Sequence, residues 1–187
     1  MREPFRVLVV CTGNVHRSPL AERLLTFRLA SASGRFQVSS AGTAAANGTP
    51  MDPVAATLLT EMGGEPSGAA ARRLTAGLVN GAALVLGAAT EHREAAVRLS
   101  PVHGLGHAFT LREFARLLHK DDAAGLTDPT ERAVALTAGA ATRRGAGAAE
   151  AWDDDLVDPY GASEEEARAC AARIAEAVER IVAVVLD

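Results

Sequence analysis

A cysteine and an arginine six positions apart, Cys11 and Arg17, bound the run Cys-Thr-Gly-Asn-Val-His-Arg. A thiol attacks only as its thiolate, a form that a nearby cation and a helix N-terminus both favour. The residues between them, Thr12, Gly13, Asn14, Val15 and His16, are enough to wrap a tetrahedral oxyanion with inward-pointing N–H groups. The guanidinium then forks onto two of its oxygens. Gly13 and Asn14 are residue types that tolerate the left-handed backbone a tight cradle requires. Ser18 Oγ is placed to donate to the thiolate and so to support the sulfur both as nucleophile and as leaving group. A bare Cys-x5-Arg supports none of this, because a cysteine closing a strand beside a solvated arginine has the same spacing. The flanking elements decide the matter.

Val7-Leu-Val-Val10 is a short β-branched run, the pattern of a buried strand. Ser18 and Pro19 follow the loop as an N-cap residue and a first-turn proline, so a helix is expected from Ser18. A strand leading into a helix N-terminus leaves unpaired N–H groups pointing at the connection, which is a ready anion site. The residues therefore describe a phosphate-binding loop with a thiolate in its floor.

The same residues carry a resemblance. Val10 to Glu22, through Cys-Thr-Gly-Asn-Val-His-Arg-Ser-Pro-Leu-Ala, resembles the phosphate-binding loop and first helix of the low-molecular-weight protein tyrosine phosphatases. The likeness continues through Val38-Ser-Ser-Ala-Gly-Thr43 to Asp158-Pro-Tyr-Gly161, in the same order along the chain. It implies a three-layer α/β fold with a central four-stranded parallel sheet flanked by helices, and the phosphate loop between the first strand and the first helix. It also implies a cysteine-dependent phosphomonoesterase acting on phosphotyrosine or another aryl phosphate.

Such a loop needs an acid, since an alkoxide or phenoxide leaves poorly unless protonated. Asp158 is the candidate, in Asp153-Asp-Asp-Leu-Val-Asp-Pro-Tyr-Gly161, where Pro159 and Gly161 stiffen a loop able to lie over the phosphate. The resemblance implies the general-acid role for this Asp and makes Tyr160 a wall of the substrate slot. Asp52-Pro53 and Asp128-Pro129 share only the dipeptide, and the first fits a turn that starts a helix. The chemistry implied is double displacement through a cysteinyl-phosphate, with no metal or other cofactor. The five histidines (16, 92, 103, 107 and 119) form no zinc-type cluster. His103 and His107 flank Gly-Leu-Gly, which argues against a helix presenting both.

Four positions depart from the family pattern. His16 stands where many members place a second cysteine, so no internal disulfide is expected to protect Cys11; its backbone N–H is its expected contribution. Ala44-Ala-Ala-Asn47 stands where members often carry an aromatic wall. Gly161 follows Tyr160 where some relatives carry a second, tandem tyrosine. Ala69 replaces a histidine that supports the loop in some relatives, so that support must come from elsewhere.

In chain order, strands are expected at Arg6–Val10, Phe36–Ser40, Leu84–Leu86 and Ala108–Thr110. Helices are expected from Ser18 to about Ser33, with Leu20, Leu24 and Phe27 on one face, from Pro53 to about Met62, from Thr90 to Leu99 and from Leu111 to His119. Two more are expected from about Glu131 to Arg143 and from Ser163 to Leu186. The last opens with a near capping box, Ser163 to Glu166, and carries Ala167, Cys170, Ile174, Val178, Ile181 and Val185 in one apolar stripe. Cys170 on that stripe reads as a core residue. Strands alternating with helices imply a parallel sheet with its ligand beyond the strands' carboxyl ends. The least determined part is 120–151, a helical insertion whose Arg143-Arg-Gly-Ala-Gly-Ala-Ala149 run is weakly specified.

The chain has 187 residues, which suits one domain over 1–187. A net charge of −4 argues against nucleic acid or anionic membranes as partners. Two cysteines make no disulfide framework, and no signal or spanning segment is apparent, so a soluble cytoplasmic protein is expected. Oligomeric state has no signature in the sequence. Three further functions compete: arsenate reduction with an external small thiol, hydrolysis of a small phosphorylated metabolite, and a binding module for phosphate or phosphoproteins without turnover.

Overall fold

A computed structural model describes residues 3–146 and 153–187. Its strands are β1 (Phe5–Cys11), β2 (Phe36–Gly42), β3 (Leu84–Gly87) and β4 (Ala108–Thr110). They form one four-stranded sheet in the order β2-β1-β3-β4, and every neighbouring pair is parallel. The helices are α1 (Arg17–Arg28), α2 (Pro53–Glu61), α3 (Ala76–Asn80), α4 (Thr90–Leu99), α5 (Pro101–His107), α6 (Leu111–Leu117), α7 (Pro129–Ala146) and α8 (Glu164–Leu186).

The alternation of side chains along β1 builds the three layers. Phe5, Val7, Val9 and Cys11 join one buried cluster with residues of α1, α2, α6, α7 and α8. Leu8 and Val10 face the other way, into a smaller cluster with Val79 of α3 and Ala96 of α4. A central strand covered on both faces reads as a continuous apolar run, which is why Val7–Val10 lacks polar alternation. The sheet order reverses direction between β1 and β3, so the connection after β1 leaves the sheet at its switch point, where open α/β sheets bind ligands.

Several elements differ from expectation for local reasons. Helix α1 starts at Arg17, with His16 at the N-cap and no side-chain cap. Ser18 Oγ is therefore not a cap; it lies 2.9 Å from Cys11 Sγ. Pro19 still fits, because the first four N–H groups of a helix lack intrahelical partners. The helix ends at Arg28 and a 3-10 turn covers Ala30–Ala32, so the expected continuation to Ser33 is corrected. Phe27 is half exposed, and Leu25 takes the buried place beside Leu20 and Leu24.

Helix α4 spans Thr90–Leu99 as expected, with Ala89 at its N-cap and Thr90 engaged by the carboxylate of Asp155. His103 and His107 do share a helix, α5, with their rings stacked at 4.4 Å between centroids. Gly104 permits this by packing against Val97, where a Cβ would meet backbone at 2.9 Å. His103 Nε2 lies 2.6 Å from the carbonyl of Ala82. Helix α3 has no counterpart among the expected elements; the Thr75 hydroxyl caps it. Helix α6 ends at Leu117, two residues early, and α7 begins at Pro129 with the Asp128 carboxylate accepting from Thr130 and Glu131 N–H. The end of the weakly specified run, from residue 147, lies outside the described residues, as does Trp152.

Helix α8 matches its expected span, capping box included, and its six stripe residues are all buried. Its C-terminal carbonyls of Val184 and Val185 accept from the buried Arg132 guanidinium of α7 at 2.9 and 3.0 Å. That contact ties the long insertion to the core. Among the described residues no helix is long and apolar enough to cross a membrane.

Candidate active site

The loop 12–16 starts where β1 ends and closes where α1 begins, and its shape is set from the adjoining strand. Thr43 N–H donates to the Cys11 carbonyl and Ala44 N–H to that of Thr12, both at 2.9 Å. Asp52 N–H donates to the carbonyl of Val15 at 2.7 Å. Gly42, at the end of β2, lies against the loop so closely that a Cβ there would sit 2.5 Å from Thr12 O and 2.9 Å from Asn14 N. The Ala-Gly-Thr motif is thus a packing requirement of the loop itself.

Two donors converge on the sulfur. Asn14 N–H reaches Cys11 Sγ at 3.3 Å, and Ser18 Oγ lies 2.9 Å from it. Asn14 is the one non-glycine described residue with positive φ (55°), which aims its N–H inward. Its side-chain amide donates to Ser18 Oγ and to Ser40 Oγ, both at 2.8 Å, and its oxygen accepts from Arg72 N–H at 2.9 Å. Ser40 in turn donates to Glu22. With Asn14 donating to its oxygen, Ser18 keeps its single proton for an acceptor. The sulfur is far nearer than the alternative, the Ala41 carbonyl at 3.5 Å. A thiolate can accept both donors, and such charge-assisted bonds are about twice as strong as neutral ones. This chain of contacts is the loop support that Ala69 does not supply.

Arg17 is almost fully buried. Its Nη1 donates to the Leu156 carbonyl at 2.9 Å, and its Nη2 donates to Asp158 Oδ2 at 2.7 Å and to Thr12 Oγ1 at 3.4 Å. Asp158 is half exposed, and its other oxygen accepts from Tyr160 N–H at 3.2 Å. The segment that carries it is anchored to the sheet: Leu156 N–H donates to the Ala88 carbonyl beyond β3, and Asp155 accepts from both N–H and hydroxyl of Thr90. The rival Asp-Pro pairs have other work. Asp52 caps α2 and Asp128 caps α7, so of the three only Asp158 contacts Arg17.

Cys11, Thr12, Gly13, Val15, His16, Arg17, Asp158 and Tyr160 line one cavity of about 410 Å³. Asn14 and Ser18 are buried and act on the sulfur rather than lining this space. Tyr160 is largely exposed at the rim. Sequence reasoning missed Asp52, Val54 and Glu164 as further walls, because they come from loops and helices that only the fold brings together. It also missed His92, whose Nε2 lies 2.9 Å from Thr12 Oγ1. Burial pushes the His92 imidazole below its ordinary range, helped by Arg17 and opposed by Glu91, Asp158 and Asp155. Burial lowers His16 likewise, against the pull of Asp52 and Asp158 and helped by Arg17, and neither of its ring nitrogens has a partner among the described residues. Among the described residues no group of three or more His, Cys, Asp or Glu could hold a metal ion.

A sheet whose first crossover loop ends a strand in cysteine and opens a helix in arginine, with an aspartate held against that arginine, has counterparts among known proteins. The family model for low molecular weight phosphotyrosine protein phosphatase matches residues 6–137, and the chain belongs to that family. The match stops short of Asp158. Among curated relatives, the low molecular weight protein-tyrosine-phosphatase Etp of Escherichia coli K12 is 38% identical over 95 residues, 51% of this chain and 62% of Etp. The chain thus spans less than two-thirds of that relative. The solved low molecular weight protein tyrosine phosphatase from T. tengcongensis aligns with a TM-score of 0.69 and 27% identity, covering 95% of this chain and 97% of that one. The YwlE arginine phosphatase from Geobacillus stearothermophilus aligns with a TM-score of 0.69 and 26% identity, covering 96% and 92%.

Proposed function

We propose that this protein is a phosphomonoesterase that hydrolyses phosphotyrosine in a protein, or another aryl phosphate, through a cysteinyl-phosphate. The Cys11 thiolate attacks phosphorus in line, the P–O bond to the leaving group breaks, and Asp158 gives that oxygen its proton. Water then attacks the thiophosphate, Asp158 takes its proton, and the P–S bond breaks to release phosphate and restore the thiolate. Arg17 and the loop N–H groups hold the equatorial oxygens throughout. Thr12, Gly13, Asn14, Val15 and His16 supply that cradle, Ser18 supports the sulfur, and Tyr160 flanks the leaving group. We read residues 1–187 as one domain and its location as cytoplasmic.

The observation that carries this reading is the single cavity onto which Cys11, Arg17 and Asp158 all open. Pure binding of phosphate has no use for a carboxylate beside the anion, which argues against a module without turnover. The test is release of p-nitrophenol from p-nitrophenyl phosphate by the wild type and by Cys11→Ser, with a parallel arm of arsenate plus a small thiol. Turnover that survives Cys11→Ser overturns the mechanism, and arsenate reduction without ester hydrolysis replaces it.

A second substrate class has its own support. Among the described residues, the charged walls of the cavity besides Arg17 are Asp52, Asp158 and Glu164, all acidic. Such a mouth favours a phosphoryl group attached to a cationic side chain, and phosphoarginine peptides belong in the same assay.

A further inference from the structure

We infer that His92 is a positioning residue: its imidazole fixes the Thr12 hydroxyl as a hydrogen-bond donor to the phosphoryl group held by the loop 11–17. The inference rests on the phosphatase reading for what the donor meets, but the arrangement itself follows from the hydrogen bonds.

His92 sits at the third position of α4, and its Nδ1 accepts the N–H of the N-cap residue Ala89 at 3.0 Å. A ring nitrogen that accepts carries no proton, so in the neutral imidazole the proton is on Nε2. Nε2 is 2.9 Å from Thr12 Oγ1 and donates to it. Arg17 Nη2 donates to the same oxygen at 3.4 Å. A hydroxyl has two lone pairs and one proton. Here both lone pairs receive donors, from opposite sides of the fold, and the proton has no acceptor among the described residues. Thr12 lines the cavity with Cys11, Gly13 and Arg17, so the remaining O–H is a donor available to an oxyanion there.

The surroundings keep the arrangement one-way. His92 is fully buried, and a second ring proton, on Nδ1, would face the Ala89 N–H and cost the start of α4 its cap. Arg17 also disfavours the charged ring; Glu91, Asp158 and Asp155 oppose it, and the Glu91 carboxylate is exposed at 3.6 Å. Without the Nε2–H donor, the Thr12 hydroxyl could turn to donate away from the loop, and Arg17 would lose a fixed neighbour. His92 acts through Thr12 and touches no reacting atom.

Two isosteres separate this role from a structural one. Asn in place of His92 puts an oxygen where Nδ1 was and keeps the Ala89 cap, but reaches nothing at Thr12. Gln puts an amide N–H where Nε2 was and keeps the donor to Thr12, but forfeits the cap. Turnover of p-nitrophenyl phosphate and equilibrium binding of vanadate are measured for His92→Asn, His92→Gln, Thr12→Val and the double variant Thr12→Val/His92→Asn, with thermal melts alongside. We expect His92→Asn and Thr12→Val each to lower kcat/KM about ten- to 150-fold, the loss of one hydrogen bond to a charged group. His92→Gln stays within about three-fold of wild type on the same scale, although it melts lower than His92→Asn. The double variant is no slower than the worse single.

Activity retained by Asn and lost by Gln, or losses that add in the double variant, overturn the inference. If His92→Asn does not fold, Thr12→Val carries the test, since wild-type turnover there is equally fatal. If the wild type hydrolyses no phosphate ester, the phosphatase reading fails by itself. The vanadate affinities must then follow the same order, and equal affinities sink the role of His92.

Discussion

Asp158 Oδ2 sits 2.7 Å from Arg17 Nη2, so the two groups assigned to acid catalysis and to oxyanion binding are paired with each other. An oxyanion that forks onto Arg17 competes with Asp158 for that nitrogen. Once the dianion holds Arg17, the carboxylate faces like charge instead of a cation. Asp158→Asn removes the competitor and the repulsion together. It should bind phosphate or vanadate about three- to thirty-fold more tightly at pH 7, given the usual worth of a half-exposed charge pair and its screening. Isothermal titration of vanadate reads this, and weaker binding than wild type would show that Asp158 helps to hold the anion.

The same variant should lose rate according to the leaving group. Proton donation contributes about 10²–10⁴-fold where the departing oxygen is basic, and little where it leaves unaided. Asp158→Asn should therefore be most impaired on alkyl and phenyl phosphates and least on esters of acidic phenols. A series of aryl phosphates gives the slope. An equal loss across the series removes Asp158 from the acid role.

Asn14 ties the loop to three separate parts of the chain. Its side chain joins Ser18, Ser40 and the Arg72 N–H while its backbone turns through positive φ. Asn14→Ala takes a donor from Ser18 and Ser40 and the acceptor from the Arg72 N–H, and places a Cβ residue with no compensating bond in a left-handed conformation. The expected destabilisation is about 2–4 kcal/mol, with slower alkylation of Cys11 by iodoacetamide at neutral pH. Urea unfolding and a thiol-alkylation time course check the two parts separately. A variant as stable as wild type with an equally reactive thiol would show the network to be incidental.

Much of this was legible in the chain because strand, loop and helix are contiguous from Phe5 to Arg28, and local chemistry fixed each part. Cys11, Arg17 and the turn residues between them needed no distant information. Gly42 was recognisable only as part of a motif; its reason is a loop that passes 2.5 Å from where its Cβ would be, a relation between separate strands. His92 was illegible, since it is 80 residues from Thr12 and sits in a helix whose sequence advertises nothing but polarity. The pair His103 and His107 misled through Gly104 and Gly106, which lower helix propensity. Tertiary packing against Val97 overrode that preference. Helix α1 misled at its start because Ser18, a good cap by type, is drawn instead to the sulfur.

The two buried histidines give stability a pH dependence of known sign. Burial lowers His16 and His92 below their ordinary value of 6.5, so the unfolded chain binds protons that the folded chain refuses. Stability is then full above about pH 6.5 and falls as pH drops from there towards the folded values. Asp122, held low by Arg143, contributes only at lower pH, as its ordinary value of 3.8 is approached. Chemical denaturation from pH 7.5 to 5.0 should show stability declining, and the slope should shrink by about half in His16→Gln, which removes one of the two groups. A flat profile in the wild type would mean that both rings find proton-compatible partners on protonation.

Oxidation should be a one-way loss. His16 occupies the position next to Arg17 from which a second thiol could trap an oxidised Cys11. The other cysteine, Cys170, is buried on α8, and that burial pushes its thiol up to about 11. At neutral pH it is protonated and a poor nucleophile towards a sulfenic acid. Peroxide should therefore carry Cys11 through the sulfenic to the sulfinic stage, with activity that thiols do not restore. Mass spectrometry should find added oxygens on the Cys11 peptide, and His16→Cys should recover activity on reduction by diverting the sulfenic acid into a disulfide. A Cys11–Cys170 disulfide after mild peroxide treatment would show that the core opens far enough to bring the buried thiol to the loop.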